Sequence, residues 1–301
     1  MKRFGSVEIK EFVSKANFDK EIILNKELSW PKISIVTPSY NQGEFLERTI
    51  LSVLNQNYPN LEYIIIDGGS TDNSIEIIKK YEKYLAYWVS EKDHGQSDAL
   101  NKGFARATGE IVGWQNSDDT YATDSFVTAV NTFKKYPKAE IVFGNTYMID
   151  ENDNIINELR FTPFSLLAHL YEGMSISNQT CFWKKAVFDK IGMIDTRFSF
   201  SMDFEFFLRA KRANINFKFI HQPLGSFRVH TDSKTANIFN IRHKEHQKID
   251  EIYDINRNFE KIYKTASLIK RTFFYLIQGD LDYILKGLTK LFIKNAKYNL
   301  K

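Results

Sequence analysis

The chain has 301 residues, enough for one large domain or two small ones, and its 43% hydrophobic and 26% charged residues describe an ordinary globular protein with a sizeable core. A net charge of +4 selects no partner, but residues 256–301 hold ten Lys/Arg against three Asp/Glu, a net of +7, so the first 255 carry −3 by difference. The single cysteine, Cys181, excludes an intramolecular disulfide, and no zinc-type spacing occurs, which points to a reducing cytoplasm; residues 1–8 are too polar for a signal peptide, and no run approaches the roughly 18 apolar residues of a membrane span.

Residues 1–30 show little beyond a short amphipathic helix, closed by Pro31. Residues 33–37 alternate and stop at Pro38, which predicts a strand. Phe45, Leu46, Ile50, Val53 and Leu54 recur at helical spacing over 44–55. The continuous apolar run 63–66 predicts a strand buried on both faces. Asp72 is placed to cap a helix over 73–84; a strand at 86–89, a helix over 96–107 and a strand over 110–115 follow. Asp124 opens a helix to Tyr136, and 141–143 is a strand. Such alternation implies right-handed crossovers and a mostly parallel sheet with helices on both faces, whose ligands bind beyond the carboxyl ends of the strands.

After residue 145 the pattern loosens. Residues 145–161 read as a hairpin or irregular excursion turning at 150–154, then come a helix over 163–171, a strand at 179–183, helices over 184–190 and 203–213, and a strand at 217–220. Beyond His230 the chain reads as helical and basic. Trp114 and Trp183 belong to the core.

Three strand-end loops carry unusual residues: Thr37-Pro38-Ser39-Tyr40-Asn41, Asp67-Gly68-Gly69-Ser70-Thr71-Asp72 and Ser117-Asp118-Asp119. Each alone is a turn or cap of ordinary composition; in a parallel sheet all three share one rim. Neither G-x-G-x-x-G nor G-x-x-x-x-G-K-[ST] is present, so a nucleotide would be gripped without either glycine-rich loop. Adjacent acids at the end of an apolar strand suit a hard divalent cation, Mg²⁺ or Mn²⁺, shared with substrate phosphates.

The stretch ISIVTPSYNQGEFLERTILSVLNQNYPNLEYIIIDGGSTDNS resembles the opening of family 2 glycosyltransferases with the GT-A fold. EKDHGQSDALNKGFARATGEIVGWQNSDDTY is similar to the continuation, through the metal motif, and QTCFWKKAVFDKIGMIDTRFSFSMDFEFFLRA to the acceptor-side segment. The resemblance spans residues 32–235. It implies an α/β GT-A fold with a single Rossmann-like, mostly parallel sheet and a C-terminal helical extension. The implied catalytic domain is 1–235, with a nucleotide-binding half at 32–125 and an acceptor-binding half at 126–235; a basic amphipathic extension follows at 236–301.

The resemblance implies an inverting transferase that uses Mn²⁺ or Mg²⁺ and a nucleotide-diphosphate-sugar, a UDP-sugar in the first instance. The acceptor it implies is a glycan or lipid-linked glycan of bacterial surface polysaccharide synthesis. On the donor side, Thr37, Pro38 and Tyr40 match the loop against the base. Asp67 matches the acid that bonds base or ribose, with Gly68 where the family has a second acid. Asp98 and Lys102 flank the donor phosphates. The motif reads Ser-Asp-Asp rather than Asp-x-Asp, with Asp118 expected near the ribose and Asp119 on the metal. Asp203 matches the catalytic base, Met202 standing where the family has glutamate; Glu205 is the alternative base, and an acid at 203 is also a good helix cap. His230 matches a metal ligand or diphosphate contact, and Lys234 a diphosphate contact. His94 lies nearby without a role.

In the tail, Leu281, Ile284, Leu285, Leu288, Leu291 and Phe292 share one helical face and Lys286, Lys290, Lys294 and Lys297 another, after an apolar block at 273–277. Such a helix either packs on the catalytic domain or on a second copy in a homodimer, or lies on an anionic membrane as a peripheral contact. No nucleic acid is expected as a partner. Two rivals are a sugar nucleotidyltransferase, which needs a glycine-rich basic loop where Thr37-Pro38-Ser39 stands, and a non-catalytic glycan-binding scaffold, which the retention of Asp67, Asp119 and Asp203 argues against.

Overall fold

The computed structural model describes residues 6–173, 175–230 and 239–285. Lys234, the segment around it and residues 286–301, with the lysine face expected there, lie outside the described residues.

Short helices α1 (Ser6–Ser14) and α2 (Lys20–Leu24) precede the sheet. Then come β1 (Ile33–Ser39), α3 (Gly43–Leu54), β2 (Leu61–Asp67), α4 (Ser74–Tyr81), β3 (Tyr87–Ser90), α5 (Gln96–Arg106) and β4 (Ile111–Trp114). The second half contains β5 (Thr120–Tyr121), α6 (Ser125–Lys135), β6 (Ile141–Ile149), β7 (Ile155–Leu159), α7 (Leu166–Glu172), β8 (Cys181–Lys184), α8 (Val187–Ile191), α9 (Met202–Arg212) and β9 (Phe217–Arg228). Helices α10 (Phe239–Ile252) and α11 (Glu260–Ile277) follow.

The strands form one sheet in the order β3-β2-β1-β4-β8-β6-β9-β5, with β7 paired to β6. β3, β2, β1 and β4 are mutually parallel. β8 enters antiparallel between β4 and β6, and β9 runs parallel to β6. Every residue of β1 and β2 is buried, as the continuous apolar run requires of strands covered on both faces. α5 lies against both strands, and at Gly103 a Cβ would come within 2.3 Å of Val36, so only glycine permits this approach.

Pro38 does not stop β1, which runs on to Ser39. The β1–β4 ladder ends at Val36 opposite Trp114, so no strand on that side needs the amide proline lacks. β9 is far longer than the expected 217–220, and it carries the chain back to the motif loop: Ser226 pairs with Thr120 of β5. The excursion at 145–161 is the β6–β7 hairpin.

The chain divides into two compact units, Met1–Phe164 with Ile176–Ile255, and Ser165–Ser175 with Asn256–Lys301. α10 belongs to the first unit, where Ile249 is buried and Tyr253 donates to Glu205. In the second unit α11 packs on α7: Tyr263 stacks on Tyr171 with ring centroids 5.1 Å apart, and Arg271 pairs with Glu172.

Candidate active site

Parallel pairing puts the ends of β1, β2 and β4 on one rim, with Ser39 opposite Asp67 and Asp67 opposite Ser90. Of the β1 loop, Tyr40, at 60% exposure, and Asn41 are open. Thr37 and Pro38 are buried, and the Thr37 hydroxyl lies 3.1 Å from that of Tyr63 within the sheet. Of the three residues expected against a base, Tyr40 is thus the one with an open side chain.

Asp67 is 0% exposed. Its Oδ2 accepts from Gly69 N at 3.1 Å, Ser70 N at 2.8 Å and Ser90 Oγ at 2.7 Å, and its Oδ1 from Ser70 Oγ at 2.5 Å. This carboxylate is the staple of its own loop, and its geometry assigns it to shaping the pocket rather than to an open donor contact. A Cβ on Gly68 would come within 2.7 Å of Asp93 Oδ2, so the Asp93 carboxylate occupies the space left by the family's missing second acid. On α5, Asp98 accepts from His94 N at 3.1 Å and pairs with Lys102 at 3.5 Å, while Lys102 also pairs with Glu91 at 3.0 Å.

The adjacent acids have opposite surroundings: Asp118 lies in the turn at 117–118, and Asp119 immediately precedes β5. Asp119 is 1% exposed. It accepts from Arg228 N at 2.8 Å, Asn116 Nδ2 at 2.9 Å and Gln179 Nε2 at 2.6 Å. Burial, followed by the charge of Asp118, pushes its pKa up against those hydrogen bonds. Asp118 is more open, and its Oδ2 lies 3.1 Å from His230 Nε2. The His230 pKa is raised, chiefly by this hydrogen bond and against its own burial.

Of the two acids, Asp119 is therefore the enclosed carboxylate and Asp118 the more open one. A carboxylate spent on three internal donors has little left for a metal, and the more open carboxylate, Asp118, faces the buried imidazole of His230. Among the described residues no group of three or more His, Cys, Asp or Glu is arranged to hold a metal ion. A pair suits a cation that takes its remaining ligands from water and substrate phosphates.

Asp203 sits in the first turn of α9, half-buried, and its carboxyl accepts from Phe204 N at 2.7 Å and from its own amide. Burial raises its pKa to about 6; the Phe204 amide opposes the shift and the charge of Glu245 adds to it. The alternative base, Glu205, is 1% exposed and held by Arg209 at 2.8 and 2.9 Å and by the Tyr253 hydroxyl, so it is a structural anion.

Two hydrogen-bond chains bring these groups to the N-terminus of α5. Asn116 bonds Asp119, and its Oδ1 accepts from Gln96 at 2.7 Å. The next residue, Ser97, bonds Phe198 O at 2.7 Å and Met202 Sδ at 2.9 Å, beside Asp203. Motif spacing did not single out Asn116, which directly precedes the Ser-Asp-Asp motif, nor Gln179 and Arg228, which lie far from it in sequence. Arg228 is fully buried and donates to Asp118 O at 2.7 Å and Asp150 O at 2.9 Å, and pairs with Asp153 at 2.7 Å. A buried arginine two residues before His230, in a strand reaching the motif loop, was the available signal.

The profile of glycosyl transferase family 2 matches residues 34–193, just over half of the chain. An uncharacterized glycosyltransferase of Mycobacterium tuberculosis, MT1564, is 35% identical over 186 residues, covering 60% of this chain and 70% of that protein. The poly-beta-1,6-N-acetyl-D-glucosamine synthase of Staphylococcus epidermidis is 29% identical over 62% of this chain, which spans about half (47%) of its length. Among solved structures, S. aureus TarS 1–349 in complex with UDP-GlcNAc superimposes with a TM-score of 0.57 at 18% identity, over 69% of this chain and 61% of that one. The mannosyltransferase PcManGT of Pyrobaculum calidifontis, in complex with GDP-Man and Mn²⁺, does so with a TM-score of 0.55 at 18% identity, over 86% of this chain and 74% of that one. The fold is thus the expected GT-A α/β architecture. The chain belongs to glycosyl transferase family 2.

Proposed function

We propose that the protein transfers a sugar, with inversion, from a nucleotide-diphosphate-sugar to a hydroxyl of a glycan or lipid-linked glycan in polysaccharide synthesis. The observation that carries this reading is the hydrogen-bonded convergence of the Ser-Asp-Asp loop and the Asp203 helix on the start of α5. An under-satisfied buried carboxylate with a pKa of about 6 is suited to take a proton near neutral pH. Asp203 accepts the proton of the acceptor hydroxyl as its oxygen bonds to the anomeric carbon, and the bond to the diphosphate breaks with its electron pair going to the leaving nucleotide. One displacement inverts the centre.

Asp118 and His230 would hold the divalent cation, Mn²⁺ or Mg²⁺, and Asp119, Asn116, Gln179 and Arg228 fix the loop that presents them. A cation bound there neutralises charge on the diphosphate leaving group. Tyr40 offers a ring for the base, and a UDP-sugar is the first donor to test, since the TarS complex holds UDP-GlcNAc. The test is a thermal-shift screen of UDP- and GDP-sugars with and without Mn²⁺; stabilisation that ignores the metal counts against the reading.

The tail supports a peripheral site on the inner face of the cell membrane. In α11, Ile262, Ile269, Phe273, Leu276 and Ile277 are exposed and share one helical face, opposite the buried Ser267 and Tyr275. Residues 286–301 add five lysines and no acid. An exposed apolar stripe beside excess positive charge fits an anionic lipid surface. No helix among the described residues is long and apolar enough to cross a membrane. Flotation of full-length protein with phosphatidylglycerol vesicles should be lost on Ile269→Asp with Phe273→Asp; unchanged flotation, or loss of self-association instead, counts against the membrane reading.

A further inference from the structure

The loop that delivers Asp203 is held from outside its own helix. α9 has Ser201 as N-cap, but that side chain makes no capping hydrogen bond. The first N–H groups of a helix and its positive end favour an anion. Glu245 of α10 supplies one. Its Oε1 accepts from Ser199 N at 2.7 Å and Ser199 Oγ at 2.9 Å, and its Oε2 from Phe200 N at 3.1 Å and Ser201 N at 2.7 Å. Three consecutive amides of the segment entering α9 thus converge on one carboxylate that is only 9% exposed.

The grip is reinforced by neighbours on α10. His246 packs on Phe204 with ring centroids 4.6 Å apart, Lys248 lies 5.6 Å from the Phe198 ring, and Ile249 is fully buried. Burial alone would raise the Glu245 pKa, but the hydrogen bonds from Ser199, Ser201 and Phe200 outweigh it and hold the group ionised. The ionisable groups that act on Asp203 are Glu245 from α10 and the buried Cys181 thiol of β8.

We propose that Glu245 is a positioning residue for the transfer reaction, clamping residues 199–201 so that the Asp203 carboxyl is presented at the start of α9. The proposal rests on the reading of Asp203 as base. Nothing in the motifs pointed to Glu245, because it lies in the basic C-terminal stretch and acts through backbone amides.

The test uses the full chain. Glu245→Gln keeps the shape, but its –NH₂ cannot accept an amide hydrogen, so about half of the clamp is lost and the charge is removed. With aspartate carboxyls labelled with ¹³C, and Asp203→Asn identifying the signal, the Asp203 titration should move to lower pH in Glu245→Gln. Turnover, read as UDP or GDP release from UDP-N-acetylglucosamine or GDP-mannose with Mn²⁺, should fall about 10–100-fold, since misplacement of a reacting group by about 1 Å costs that much. Donor affinity should stay within about twofold, and Glu245→Asp should recover part of the rate. An unmoved titration, or a rate loss matched by an equal loss of donor affinity, overturns the proposal. If Glu245→Gln does not fold, Glu245→Asp is read by turnover and donor affinity alone: a wild-type rate, or a rate loss matched by an equal loss of donor affinity, then overturns the proposal. If Asp203→Asn turns over normally, the base reading fails, and the titration alone then judges the clamp.

Discussion

The donor-side rim and the entrance to α9 both bury aspartates, but they spend them differently. Asp67 receives four hydrogen bonds and Asp119 three, all from within the protein. Asp203 receives two, from the Phe204 amide and its own, with no side-chain donor among the described residues, and Asp118 faces the His230 imidazole. A saturated carboxylate holds a loop in shape, whereas an under-satisfied one keeps capacity for a proton or a cation. The comparison assigns structure to Asp67 and Asp119 and chemistry to Asp118 and Asp203.

The sharpest way to break that comparison is at Asp203. Asp203→Asn should lower turnover about 10²–10⁴-fold, the usual worth of a general base, without altering the melting temperature. The neighbouring acids should then separate. Asp118→Ala should remove Mn²⁺-dependent donor binding in calorimetry while the protein stays folded. Asp119→Ala should instead cost about 3 kcal/mol in denaturant unfolding, because buried donors of Asn116, Gln179 and Arg228 lose their acceptor. The reverse outcome would return the metal to Asp119.

A smaller effect is expected from pH. The folded pKa of Asp203 is raised to about 6, so its ionised, proton-accepting form is depleted as pH falls through that value. Turnover should fall about tenfold per unit below pH 6, and the limb should vanish in Asp203→Asn; a limb near pH 4 would mean that burial does not tune this group. The smallest effect is at Tyr40. As an exposed ring it contributes little to stability, but Tyr40→Ala should weaken nucleotide affinity about tenfold, the lower part of what base–aromatic stacking supplies.

Much of this was legible in the sequence, and the limits are physical. The alternation of apolar runs and helical spacings placed β1 through α6, because strands covered on both faces must be apolar throughout. The motif loops fell on one rim as the parallel register requires. Which of Asp118 and Asp119 faces inward was not legible, since it depends on Gln179 and Arg228, which reach the loop from β8's lead-in and from β9. The reach of β9 to Arg228 was also hidden, its latter half being too polar to read as a strand. Glu245 was invisible for the same reason: its partners are amides, which leave no residue pattern.

The most direct test of the account is a paired measurement on Asp203→Asn with Mn²⁺ at pH 7.5: donor affinity by calorimetry and nucleotide release on the same sample. The account predicts unchanged affinity with release lowered at least about 100-fold. Release at the wild-type rate would contradict it.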